Sequence, residues 1–135
     1  MDNKDKTFEK NENNTYLVET ILFSDIVDFF PKNKHNKSFS QALMKIDIEG
    51  FEPLALTLES AKKLFDSIDV CIIFMEWGNF KTRLDFRNEI EKMIDFLLSY
   101  GLKPHMLHNY GGGPLLDKTK WNMWPTNVHW KKDGY

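Results

Sequence analysis

The residues best suited to chemistry lie in the run Ala42-Leu43-Met44-Lys45-Ile46-Asp47-Ile48-Glu49-Gly50. Read as a strand, its side chains alternate between two faces. Met44, Ile46 and Ile48 share one face; Lys45, Asp47 and Glu49 share the other. Two acids and a base on one parity, running into a glycine, are unfavourable to bury without partners. Asp47 and Glu49 are therefore the candidate catalytic pair, able to orient a hydroxyl or accept its proton. Hard oxygen ligands at a strand end would also suit a magnesium ion. A structural role fits the same residues, with Asp47 pairing with Lys45 or accepting N–H groups at a helix start.

Phe51-Glu52-Pro53-Leu54 predicts that helix start, with Pro53 in the first turn, where its missing N–H is harmless. Open α/β sheets bind ligands where strands feed helices in this way. Glu52, just past the turn, joins the acids as a candidate substrate-binding residue. The apolar run from Asp69 to Trp77 predicts an interior parallel strand buried on both faces. A right-handed connection brings its end, Glu76-Trp77, to the same edge of the sheet as Asp47 and Glu49. Glu76 and Trp77 are thus candidates for an acid and an aromatic wall beside a substrate. An edge salt bridge and ordinary tryptophan packing explain the same pair.

Lys45-Ile46-Asp47-Ile48-Glu49-Gly50, then Glu52, then an apolar strand ending in Glu76-Trp77, resembles the C-terminal half of FkbM-type methyltransferases. Phe23-Ser24-Asp25-Ile26-Val27 is similar to a segment that precedes the family's acidic strand. The resemblance runs from about Val18 to the C-terminus and is closest between Leu43 and Trp77. It implies a Rossmann-like fold, S-adenosylmethionine as cofactor, and methyl transfer, mostly to oxygen, on a small-molecule or sugar acceptor. It also favours a cleft role for Asp47 and Glu49. The family's glycine-rich cofactor loop and ribose-holding acid lie upstream of this motif, and the chain begins too late to contain them. Two expectations follow. One is a methyltransferase present as an incomplete domain; the other is a non-catalytic remnant or interaction module of that fold, without cofactor binding.

The wider composition agrees with one such domain. A length of 135 residues, 41% hydrophobic and 14% aromatic, suits a single globular unit with a modest core. A net charge of −2 argues against nucleic acid or an anionic membrane surface as partner. No apolar stretch is long enough to span a bilayer, and no signal peptide is evident at Met1. Cys71, the single cysteine, excludes an internal disulfide and reads as a small buried hydrophobe.

The elements follow from periodicity. Residues 1–15 form a polar tail expected to be disordered, and 16–135 the half-domain. Tyr16 to Phe23 reads as a short strand, and Ser24-Asp25 as the cap of a short helix through Phe30. One amphipathic helix is predicted from Glu52 to Phe65 and another from Asn88 to Tyr100, stopped by Gly101. Leu102 to Leu107 is a strand placed near an edge by Pro104, and Asn127 to Lys131 an antiparallel edge strand. The fold expected is α/β, a partial Rossmann-like sheet, mostly parallel with an antiparallel edge strand. Missing neighbours would leave one sheet edge unpaired and prone to self-association.

Other motifs carry less. His35 stands alone in a polar loop. His105 and His108, three apart on a strand, point to opposite faces, so no shared metal is expected. Gly111-Gly112-Gly113-Pro114, followed by Lys118-Thr119, lacks the spacing of a phosphate-binding loop and reads as a flexible loop over the strand ends. Trp121, Trp124 and Trp130 could wall an acceptor site, though packing is the commoner role.

Overall fold

The computed structural model describes residues 21–30, 39–107 and 113–135. The polar tail, most of the strand expected at 16–23, His35 and His108 lie outside the described residues.

Among the described residues, four strands form one sheet: β1 (Gln41–Ile46), β2 (Asp69–Glu76), β3 (Lys103–Met106) and β4 (Asn127–Lys131). Their spatial order is β1-β2-β4-β3. β1 pairs with β2 in parallel, and β4 pairs antiparallel with both β2 and β3. The sheet is therefore mixed, with one parallel pair, rather than mostly parallel. β1, β2 and β3 run in one direction and β4 runs against them.

The antiparallel strand expected at the edge is inside the sheet. Period-two alternation in Asn127 to Lys131 reports two faces but cannot report neighbours. Burial does: Trp130 is 0% exposed and His129 only 5%. β3 is an edge, as Pro104 suggested. Beyond it the chain at 113–116 adds a single bridge, with Met106 N–H donating to the Pro114 carbonyl and Leu116 N–H to that of Pro104. This approach requires glycine at 113, where an added Cβ would stand 2.0 Å from the Met106 carbonyl oxygen.

Helices cover one face of the sheet. α2 (Leu58–Ser67) and α3 (Arg87–Ser99) supply Ala61, Leu64, Ile90, Met93 and Leu97 to a core that also holds Ile46, Ile73, Met75, Val128 and Trp130. On β2, Ile73 and Met75 are buried, whereas Ile72, Phe74 and Glu76 are only half-buried. This strand is thus buried on one face and partly open on the other, because no helix among the described residues covers its second face.

The helix expected over Glu52 to Phe65 is two helices. α1 (Glu52–Ala55) stops, and α2 restarts after Thr57, whose hydroxyl accepts the Ser60 N–H at 3.2 Å. A threonine side chain at this position satisfies a helix-start donor and so favours a fresh start over continuation. Ahead of β1, Phe23–Phe29 is a 3-10 helix packed on α2. Its N-cap is Leu22, not Ser24, which is buried with no hydrogen-bond partner for its hydroxyl among the described residues.

Candidate functional site

β1 ends at Ile46, before the acids are complete. Asp47 leaves the strand directly, and Glu49 and Gly50 form a turn with φ of 56° and 92°. The alternation that placed Ile48 with Met44 and Ile46 therefore fails, and Ile48 is 40% exposed.

Glu52 holds this turn. Glu52 is 1% exposed, and its Oε1 accepts the Ile48 N–H at 2.9 Å. Oε2 is buried and has no hydrogen-bond partner among the described residues. A carboxylate so enclosed supports the backbone beside Asp47 and offers no surface to a substrate.

Asp47 and Glu76 do come together. They share a groove of about 320 Å³ at the carboxyl ends of β1 and β2, with Lys45 and Phe74 on the same open face. The far wall is made by Leu107, just past β3, and by Asn127 and Val128 of β4. Antiparallel β4 starts at this edge, so Asn127 is the register partner of Glu76. The two strand ends are tied together by the Thr126 carbonyl, which accepts both the Trp77 and Gly78 N–H groups.

Lys45 Nζ lies 2.7 Å from Asp47 Oδ2, and both side chains are substantially exposed, at 71% and 39%. Hydrogen bonding to Asp47 and the charge of that carboxylate raise the Lys45 pKa above its ordinary value, and Glu76 adds to the rise from further off. Lys45 therefore stays an ammonium and cannot serve as a base. Among the described residues, Glu76 enters no ion pair of its own.

The remaining candidates lie elsewhere. Glu49 is exposed on the turn and does not line the groove. Trp77 is 0% exposed and packs on Phe80, Trp124 and Trp130, with Nε1 donating to the Trp121 carbonyl at 2.8 Å. It belongs to the core and walls no groove. Trp121, Trp124 and Trp130 are buried with it, which is the packing role. Phe74 and Asn127 also line the groove and are not among the candidates expected from sequence. Phe74 is two residues before Glu76 and shares its face by the strand period; Asn127 needed the position of β4.

A family model, described as the Methyltransferase FkbM domain, matches residues 2–104. The chain belongs to the FkbM methyltransferase domain family. The match begins earlier than the sequence resemblance suggested and stops at Pro104, so β4 lies beyond it. No curated protein and no solved structure matches the chain.

Proposed function

We propose that the chain acts in S-adenosylmethionine-dependent methylation of an oxygen on a small-molecule or sugar acceptor, with the acceptor held in the Asp47–Glu76 groove. The observation that carries this reading is the convergence of Asp47 and Glu76 with Phe74 at the carboxyl ends of parallel strands, where α/β sheets bind ligands. In this reading the four strands are the C-terminal part of a Rossmann-like methyltransferase sheet.

The residues present fit the cofactor in one respect. Two carboxylates beside an already paired lysine complement a sulfonium cation. Bound there, the cofactor supplies an electrophilic methyl group. The chain's own residues supply positioning, which dominates such transfers. Glu76 accepts the hydroxyl proton as the oxygen becomes an ether, Asp47 orients the hydroxyl, and Phe74 keeps water from the acceptor's apolar side.

The second reading is a non-catalytic module of methyltransferase fold. It is favoured by one observation: among the described residues, no glycine lines the groove. Calorimetry with S-adenosylmethionine separates the two. One-to-one binding supports the enzyme, and no heat at millimolar cofactor supports the module. With the enzyme, Asp47→Asn loses turnover while keeping its thermal transition; an active Asp47→Asn removes Asp47 from the chemistry.

A further inference from the structure

The groove has two origins. Lys45, Asp47, Phe74 and Glu76 fall inside the span matched by the FkbM family model, whereas Leu107 and Asn127 fall beyond it. The second group reaches the site because β4 inserts between β2 and β3 and so hydrogen-bonds directly to the strand that carries Phe74 and Glu76. The acidic wall is thus supplied by the family-matched segment and the facing wall by the segment that follows it. We propose that the facing wall selects the acceptor, with Asn127 as the specificity-determining residue, and that the groove takes an uncharged, polyhydroxylated ring. This rests on the reading of the groove as an acceptor site.

The chemistry of the lining sets that class. Glu76 and Asn127 are register partners on adjacent antiparallel strands, and side chains directly opposite in such a pair stand about 5 Å apart at Cβ. A carboxylate accepts hydrogen bonds only, and an amide both donates and accepts. Side by side they read neighbouring hydroxyls, one as donor to Glu76 and the next as either donor or acceptor at Asn127. Phe74 lies two residues before Glu76 on the same half-open face and next to Lys45 in register. Its ring offers an apolar surface to the C–H face of a saturated ring, and Leu107 closes the opposite side.

Charge and hydrogen bonding disfavour two alternatives, an anionic acceptor and a flat apolar one. Among the described lining residues, the groove holds Asp47 and Glu76 against one cation, Lys45, which is already engaged by Asp47 at 2.7 Å. A phosphate or carboxylate on the acceptor would meet Glu76 with no free cation among the described lining residues to offset it. A flat apolar ring with one hydroxyl would leave the Asn127 amide unpaired against it, and a site built with polar groups rejects ligands that cannot satisfy them.

The test uses the full chain labelled with ¹⁵N and titrated with methyl α-D-glucopyranoside, glucose 6-phosphate and benzyl alcohol. The expected result is a saturable shift of the Asn127 side-chain amide and of the Phe74 and Glu76 backbone signals with the glycoside. The phosphorylated sugar and benzyl alcohol should bind more weakly. Asn127→Ala should weaken the glycoside roughly three- to tenfold, the effect of one lost hydrogen-bonding group. Asn127→Asp, which keeps the shape but loses the donor, should weaken it as well, so a folding failure of one variant leaves the other to decide.

Equal binding of the phosphorylated sugar, shifts confined to another surface, or glycoside affinity unchanged in both variants would overturn the proposal. Its fate is separable from that of methyl transfer. Glycoside binding that depends on Asn127, with no binding of S-adenosylmethionine, leaves the inference standing and removes the enzyme reading. Cofactor binding with no glycoside shift at the groove does the reverse.

Discussion

Glu52 Oε1 accepts the backbone N–H of Ile48 at 2.9 Å and thereby ties the start of α1 to the turn that carries Asp47 out of β1. The two residues are four apart in the chain, and the carboxylate between them is buried. Removing the acceptor loses this part-buried hydrogen bond, worth about 1 kcal/mol. Glu52→Ala should show that loss in denaturant unfolding, while Glu52→Gln, which retains a carbonyl acceptor, should unfold close to the parent chain. Equal losses in both variants would show that the charge, not the hydrogen bond to Ile48, is what the fold requires.

Glu49 occupies the left-handed region at φ 56°, a conformation that disfavours side chains with a Cβ by about 1–2 kcal/mol. It also stands outside the groove. Glu49→Gly should raise thermal stability or leave it unchanged, because relief of this strain offsets the extra freedom of glycine in the unfolded chain. A marked fall in the melting temperature would mean that the Glu49 side chain makes contacts that outweigh the strain.

The contrast between Glu49 and Asp47 shows where sequence legibility stops. The strand-to-helix order, Pro53 in the first turn of α1 and the α3 stop at Gly101, with its φ of 79°, were all legible, because each rests on local periodicity or local backbone chemistry. So was the meeting of Asp47 and Glu76 at one edge, which needs only a parallel strand pair. The strand end was not. Ile48 continues the apolar alternation, and nothing in its type says that the backbone has already turned. Trp77 was misplaced for a different reason: its burial depends on Trp121, Trp124 and Trp130, all more than forty residues later in the chain. The interior place of β4, and with it Asn127, depends on the same long-range assembly.

His129 lies on the open face of the sheet between Phe74 and His105, its ring centroid 5.5 Å from that of His105. Burial, the neighbouring His105 and the charge of Lys131 hold its pKa below the ordinary 6.5. His105 is itself fixed by donation from Nδ1 to the Gly113 carbonyl, and the nearby Lys103 is paired with Asp133. The sign follows directly. The unfolded chain takes up the proton first as the pH falls, so this contribution to stability is complete above pH 6.5 and declines below it. Unfolding midpoints measured between pH 7.5 and 5 should decrease, and His129→Gln should flatten the decrease. An unchanged slope in the variant would place the titrating group elsewhere.

β1 pairs with β2 on one side, and among the described residues no strand pairs with the other. Leu43 on this strand and Phe39 just before it are exposed at 64% and 51%. An unguarded edge flanked by apolar side chains recruits another strand. We expect concentration-dependent self-association in sedimentation velocity, reduced in Leu43→Lys. A single non-associating species across the concentration range would contradict it.

The assignment of the Asp47–Glu76 groove to methyl transfer is tested most directly by mapping where S-adenosylmethionine binds on the ¹⁵N-labelled chain. A groove that serves the reaction predicts one-to-one saturation, with the largest shifts at Lys45, Asp47, Phe74 and Glu76, and loss of those shifts in Glu76→Gln. Saturable binding with its shifts gathered on the surface between Arg87 and Trp121, or no binding at all, would contradict it.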